Sequence, residues 1–175
     1  MTRRCWALPL AVALASACGL GGDEAPPSGG RLRAAVVRPL ADTLRDTVRF
    51  ATTAEAAQCD SGRGLVLDGV VGGNGVLVWV RPGDSTVAGE YTYATRLDSA
   101  SRRSAVVAVR FVASDVSRGV TLDSGRLDVT ERGGALSATA RGSGLAYPGA
   151  TRVAVEVDVL DVPIPRDTVS CARAP

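Results

Sequence analysis

From residue 64 onward, apolar and polar residues alternate with a period of two. In residues 151–159 (TRVAVEVDV), Val153, Val155, Val157 and Val159 fall on one side of an extended chain, and Arg152, Ala154, Glu156 and Asp158 on the other. That is the pattern of a strand with one buried and one wet face. Residues 75–80 (GVLVWV) are apolar on both sides and lie between Gly72-Gly73-Asn74-Gly75 and Pro82-Gly83-Asp84. They predict a central strand covered on both faces. Residues 65–71, 90–94 (EYTYA), 105–112 (AVVAVRFV), 125–130 (GRLDVT) and 135–140 (ALSATA) continue the strand pattern.

Two joints read as hairpins. Glu131-Arg132-Gly133-Gly134 separates two alternating runs, and Pro82-Gly83-Asp84-Ser85 separates GVLVWV from VAGEYTY. Strands recur about every ten residues with no amphipathic helix between them, which predicts an all-β fold. The expectation is an antiparallel β-sandwich of roughly seven to nine strands, with a small closed β-barrel as the alternative. Leu40, Leu44 and Val48 recur at helical spacing after Pro39, whereas Val48 and Phe50 alternate about Arg49. This predicts a short helix over residues 40–46, followed by a strand. The prolines of Val162-Pro163-Ile164-Pro165 have no amide donor, so this segment belongs at an edge or a crossing.

The N-terminus follows a different rule. Arg3 and Arg4 precede a nine-residue apolar core, residues 7–15, and Ala15-Ser16-Ala17 makes a small-residue exit before Cys18. This is the layout of a secretory signal, and the core is about half the length needed to cross a membrane. Leu14-Ala15-Ser16-Ala17-Cys18-Gly19 resembles the lipobox of bacterial lipoproteins. The resemblance implies cleavage before Cys18, a lipid on that cysteine, and an outer-membrane destination, because Gly19 is not the aspartate that commonly retains such proteins at the inner membrane. Ala15-x-Ala17 also suits the common signal peptidase, which would leave Cys18 a free thiol. The expected division is a signal peptide at 1–17, a lipidated cysteine and tether at 18–30, and a single β-rich domain at 31–175. Residues 19–30 carry little to bury, and as a coil they would reach about 20 Å.

Charge and composition narrow the chemistry. The formal net charge is +2, but without Arg3 and Arg4 the eighteen remaining basic residues balance eighteen acids. A neutral, interspersed surface has no footprint for nucleic acid, so none is expected as a partner. All 20 basic residues are arginine, and the chain has neither lysine nor histidine. Ser-His-Asp triads, Cys-His pairs, Ser-Lys dyads, Schiff-base lysines and P-loop lysines are thereby excluded within the chain. Metal sites that rely on imidazole are excluded too. Cys5 leaves with the signal and Cys18 takes lipid, so Cys59 and Cys171 remain as an even pair in an oxidising compartment, and a disulfide is predicted.

Carboxylates are the chemistry left over. Asp60-Ser61-Gly62 and Asp123-Ser124-Gly125 match the short loop of aspartic proteases. A single-chain enzyme of that kind is about twice this length, and Asp-Ser-Gly is an ordinary turn sequence. Glu90, Glu131, Glu156 and Asp158 are candidates for a glycosidase-type pair, yet Phe50, Trp79, Tyr91, Tyr93, Phe111 and Tyr147 are the mature chain's whole aromatic complement for stacking a sugar. Tyr91 and Tyr93 share a strand face and read as core or cross-strand residues. No calcium-loop motif occurs, and no metal, cofactor or catalytic residue is expected. The succession of strands over residues 65–165 loosely resembles the small uncharacterised β-sandwich domains of bacterial lipoproteins, with residues 119–142, GVTLDSGRLDVTERGGALSATARG, its most recognisable part. The functional expectation is a lipid-anchored module of the cell envelope with a binding or structural role and a protein or envelope partner. A carboxylate hydrolase and a carrier of a small apolar ligand are the alternatives.

Overall fold

The computed structural model describes residues 29–41, 44–59, 64–83, 86–94, 103–165 and 168–171. The signal peptide, Cys18, most of the tether and Asp60-Ser61-Gly62 lie outside the described residues. The described chain is all β, with no helix among the described residues. Its strands are β1 (Gly30–Ala41), β2 (Leu44–Cys59), β3 (Leu65–Val71), β4 (Asn74–Arg81), β5 (Gly89–Tyr93), β6 (Ser104–Ala113), β7 (Val116–Thr121), β8 (Ser124–Arg132), β9 (Ala135–Tyr147), β10 (Thr151–Pro163) and β11 (Thr168–Val169).

These strands form one mixed sheet in the order β1-β10-β9-β8-β5-β6-β4-β3-β2-β11, with β7 joined to β6 and β9. A further pairing of β1 with β2 connects the two ends of that path, so the circuit of hydrogen-bonded neighbours closes on itself. Most pairings are antiparallel; β5–β6 and β11–β2 are parallel. Eleven strands exceed the seven to nine expected because β1, β7 and β11 carry weak alternation.

The core faces inward from every part of this circuit. Val153, Val155, Val157 and Val159 of β10 are all buried, as their alternation predicts. At Asp161 the β10–β9 register shifts, with a φ of 57°. This bulge restores Val162 to the core face. Tyr91 and Phe111 are the largest fully buried side chains, and Leu32, Leu67, Leu122, Leu127 and Leu136 pack with them. The Tyr91 hydroxyl donates to the Val87 carbonyl, and the Arg103 guanidinium lies 5.3 Å from its ring centre.

Two expectations need correction. The helix over residues 40–46 is absent where described: β1 runs through Leu40, and β2 starts at Leu44. Arg38 pairs with Asp46 across the hairpin, in backbone register and through their side chains. Leu40 and Leu44 therefore lie at the facing ends of two paired strands, 60% and 64% exposed, and do not share a helix face. Strand β4 is central, between β3 and β6, but its two faces differ. Val76, Val78 and Val80 are buried, whereas Leu77 and Trp79 on the outer side are only half-buried.

Cys59 and Cys171 are bonded, with sulfurs 2.10 Å apart and Cα atoms 5.3 Å apart, across a sequence separation of 112. The bond ties the C-terminal segment to the end of β2, where β11 adds only a two-residue parallel pairing. Closing so long a loop restricts the unfolded chain, and loss of such a bond costs typically about 2 to 4 kcal/mol. Cys171→Ala is therefore expected to lower the melting temperature by roughly 5 to 15 °C in thermal melts followed by circular dichroism. An unchanged midpoint would contradict this.

Candidate functional site

The antiparallel registers place the Ala41 end of β1, the Leu44 end of β2 and the β3–β4, β6–β7 and β9–β10 turns at one end of the sheet. Gly30, Cys59 and the β8–β9 turn lie at the other. Near the first end, on the outer face, the strands form a trough of about 890 Å³.

Two cross-strand rows build it. One runs Val70, Gly75, Arg110, Gly119, Tyr147 across β3, β4, β6, β7 and β9. The next runs Asp68, Leu77, Ala108, Thr121 across β3, β4, β6 and β7, with Leu145 beside it on β9. Side chains of one strand parity share a face, so the rows stand side by side. Glycine, alanine and threonine keep the floor low, while Val70 and Asp68 form one wall and Tyr147 and Leu145 the other. Four strand spacings make the trough about 19 Å across. Its apolar walls face water: Val70, Leu145 and Tyr147 are 61%, 52% and 79% exposed. Across the trough mouth, Arg118 donates to the Pro148 carbonyl at 2.5 Å and holds the β9–β10 turn.

The trough's two carboxylates sit in opposite environments. Asp68 is half-buried and faces Glu55 directly across β2–β3. Burial first, and the Glu55 charge second, push its carboxyl above the ordinary 3.8. Asp123 accepts both Arg152 guanidinium nitrogens, at 2.7 and 3.0 Å, and these hydrogen bonds hold its carboxyl below the ordinary value. Asp68 and Thr121 are three strand spacings apart, about 14 Å, and Asp123 follows two residues later. Hydrolytic carboxylate pairs stand about 5 to 9.5 Å apart, so these two do not form one.

The Asp123-Ser124-Gly125 motif has a structural role. The Leu122 amide donates to Val107 on β6, whereas the Asp123 amide donates to Ser143 on β9. The motif thus marks where the chain leaves β6 and follows β9. Ser124 and Ser143 hydroxyls are 2.9 Å apart, and Arg152 reaches Ser143 at 3.0 Å. Gly125 has a φ of 118°, and a Cβ there would lie 2.1 Å from the Arg141 carbonyl oxygen. The turn accepts only glycine.

Glu90 on β5 and Glu156 and Asp158 on β10 lie on the outer face, whereas Glu131 has the strand parity of the buried Leu127 and Val129, at the end of β8. Glu90 stands opposite Asp128, and Glu131 is exposed beside the β8–β9 turn. Glu156 pairs with Arg141 at 2.8 Å, and Asp158 accepts from Thr139 at 3.1 Å. Glu156 and Asp158 border a smaller hollow of about 390 Å³ with Arg33 and Arg49, where two cations balance two acids. Among the described residues, no group of three or more His, Cys, Asp or Glu is placed to hold a metal ion. Tyr93 is half-buried, its hydroxyl 2.5 Å from the Arg126 carbonyl oxygen and 3.1 Å from that of Arg141. Burial raises its pKa.

Sequence reasoning missed Asp68, Arg110, Gly119, Leu145 and Tyr147 as a group. The legible hint was GVLVWV, apolar on both faces: its outer side supplies Gly75 and Leu77 to the trough.

Fold and site together define an all-β, disulfide-bonded domain with a mainly apolar trough on the outside of a closed sheet. No family model, curated protein or solved structure matches the chain.

The Asp68 environment sets a pH dependence. Its folded-state pKa lies above the unfolded one, so the folded chain is favoured with Asp68 protonated. That stability is present at low pH and is lost as pH rises through the folded-state value. Asp68→Asn is expected to melt higher than the parent at pH 7, with the difference shrinking toward pH 3. Melts across that range check it, and an equal or lower midpoint for the variant at pH 7 would refute it.

Proposed function

We propose that this chain is a lipid-anchored binding protein of the bacterial cell envelope, held at the outer membrane through Cys18 and recognising its partner with the outer trough. The observation that carries the binding role is the trough itself: an exposed concave surface with apolar walls and few charges is the usual form of a recognition site. The interior is filled by Tyr91, Phe111 and the surrounding leucines and valines, which favours recognition outside the sheet over carriage within it. The Cys59–Cys171 bond suits an oxidising compartment, in keeping with export.

The direction of β1 supports the arrangement. Gly30, where the segment after Cys18 joins the sheet, is at the end opposite the β3–β4 and β9–β10 turns that flank the trough. An anchor at Cys18 would therefore present the trough away from the membrane. Expressed in a bacterium, the full chain is expected to partition into the detergent phase of Triton X-114, with mass spectrometry showing a diacylglyceryl group on an N-terminal Cys18. Cys18→Ser should remain unprocessed and unlipidated. A parent chain that is cleaved but carries an unmodified Cys18 would overturn the anchor.

A further inference from the structure

We propose that the trough takes a short peptide with both ends free and apolar side chains, its terminal amine at the Asp68 wall and its terminal carboxylate on Arg110. This inference rests on the trough being the recognition surface.

Four charged side chains line the trough: Asp68, Arg110, Arg118 and Asp123. Arg118 is held against the Pro148 carbonyl, with its Nε buried and unpartnered, and Asp123 is paired with Arg152. Arg110 and Asp68 have no hydrogen-bond or ion-pair partner among the described residues. Arg110 rises between Gly75 and Gly119, which leave both flanks of its guanidinium open to a carboxylate. Asp68 stands on the opposite wall with Glu55 across from it, two carboxylates with no cation of the described chain between them. The trough is therefore dipolar, negative at β3 and positive at β6, with Leu77 and Ala108 between and Leu145 and Tyr147 beyond.

The spacing selects the length. Asp68 and Arg110 differ by two strand spacings and two residues along the strand, about 12 Å between Cα atoms. An extended tripeptide spans about 10 Å from end to end, and its side chains would lie over Leu77 and against the apolar walls. An interior segment of a longer chain carries neither terminal charge and leaves Asp68 and Arg110 unmatched.

The test is isothermal titration of the full chain in detergent micelles with the tripeptide Leu-Ala-Leu, its N-acetyl form and its C-terminal amide. The free tripeptide is expected to bind, and blocking either end should weaken it about tenfold, the scale of one charge-assisted contact. Asp68→Asn should abolish the penalty for N-acetylation alone, and Arg110→Gln the penalty for amidation alone. Gly119→Trp should remove binding without unfolding the protein, because a Cβ at Gly119 meets nothing within 4 Å. Blocked peptides that bind the parent as well as the free one, but not Gly119→Trp, would overturn the ligand class and leave the trough as the recognition surface. Binding unchanged in Gly119→Trp would overturn both. No binding of the free tripeptide at millimolar concentration would overturn the ligand class.

Discussion

The double pairing of β1 is the constraint on which the rest of this molecule depends. One edge of β1 is bonded to β10 over Arg31 to Val37, and the other to β2 over Gly30 to Ala41. Without it, β10 and the β2 partner edge would be open, presenting unpaired amides to solvent. With it, the sheet encloses a single interior, and each strand must place every second residue there. Leu32, Ala34 and Val36 are β1's contribution, and all three are buried. The hydrophobic effect and the hydrogen-bond circuit thus support the same arrangement.

Closure also decides where function can reside. Because the interior is packed with valine, leucine, Tyr91 and Phe111, the proposed recognition surface is on the outer face. Most of that face is a lattice of small charged and hydroxyl contacts such as Arg141–Glu156 and Arg152–Asp123. These are exposed pairs, individually weak, and they keep that surface polar. The trough departs from this pattern: its walls are Val70, Leu145 and Tyr147, and its floor is glycine and alanine.

How much of this was legible follows from what each residue reports. Residues 151–159 declare their strand because four valines alternate with polar residues, and GVLVWV declares itself by apolarity alone. Strands β1 and β2 do not, since arginine and alanine interrupt them and the leucine spacing at 40, 44 and 48 imitates a helix turn. Pairing across the hairpin overrides that local period. The disulfide was legible because elimination left two cysteines. The trough was hidden because it is a property of register: Gly75, Arg110, Gly119 and Tyr147 become neighbours only once four strands are aligned, and a slip of one residue would turn that row inward. Asp123-Ser124-Gly125 reads as an ordinary turn, but its setting was hidden for the same reason: the Asp123 amide bonds Ser143 on β9 while Leu122 before it bonds Val107 on β6.

Native-state amide hydrogen exchange of β1 tests the closed circuit most directly. The account predicts that the amides of residues 32 to 37 are protected as strongly as those at the centres of β6 and β9, because they open only with the whole sheet. Exchange of those amides orders of magnitude faster than that of β6 and β9, as for a frayed edge strand, would contradict it.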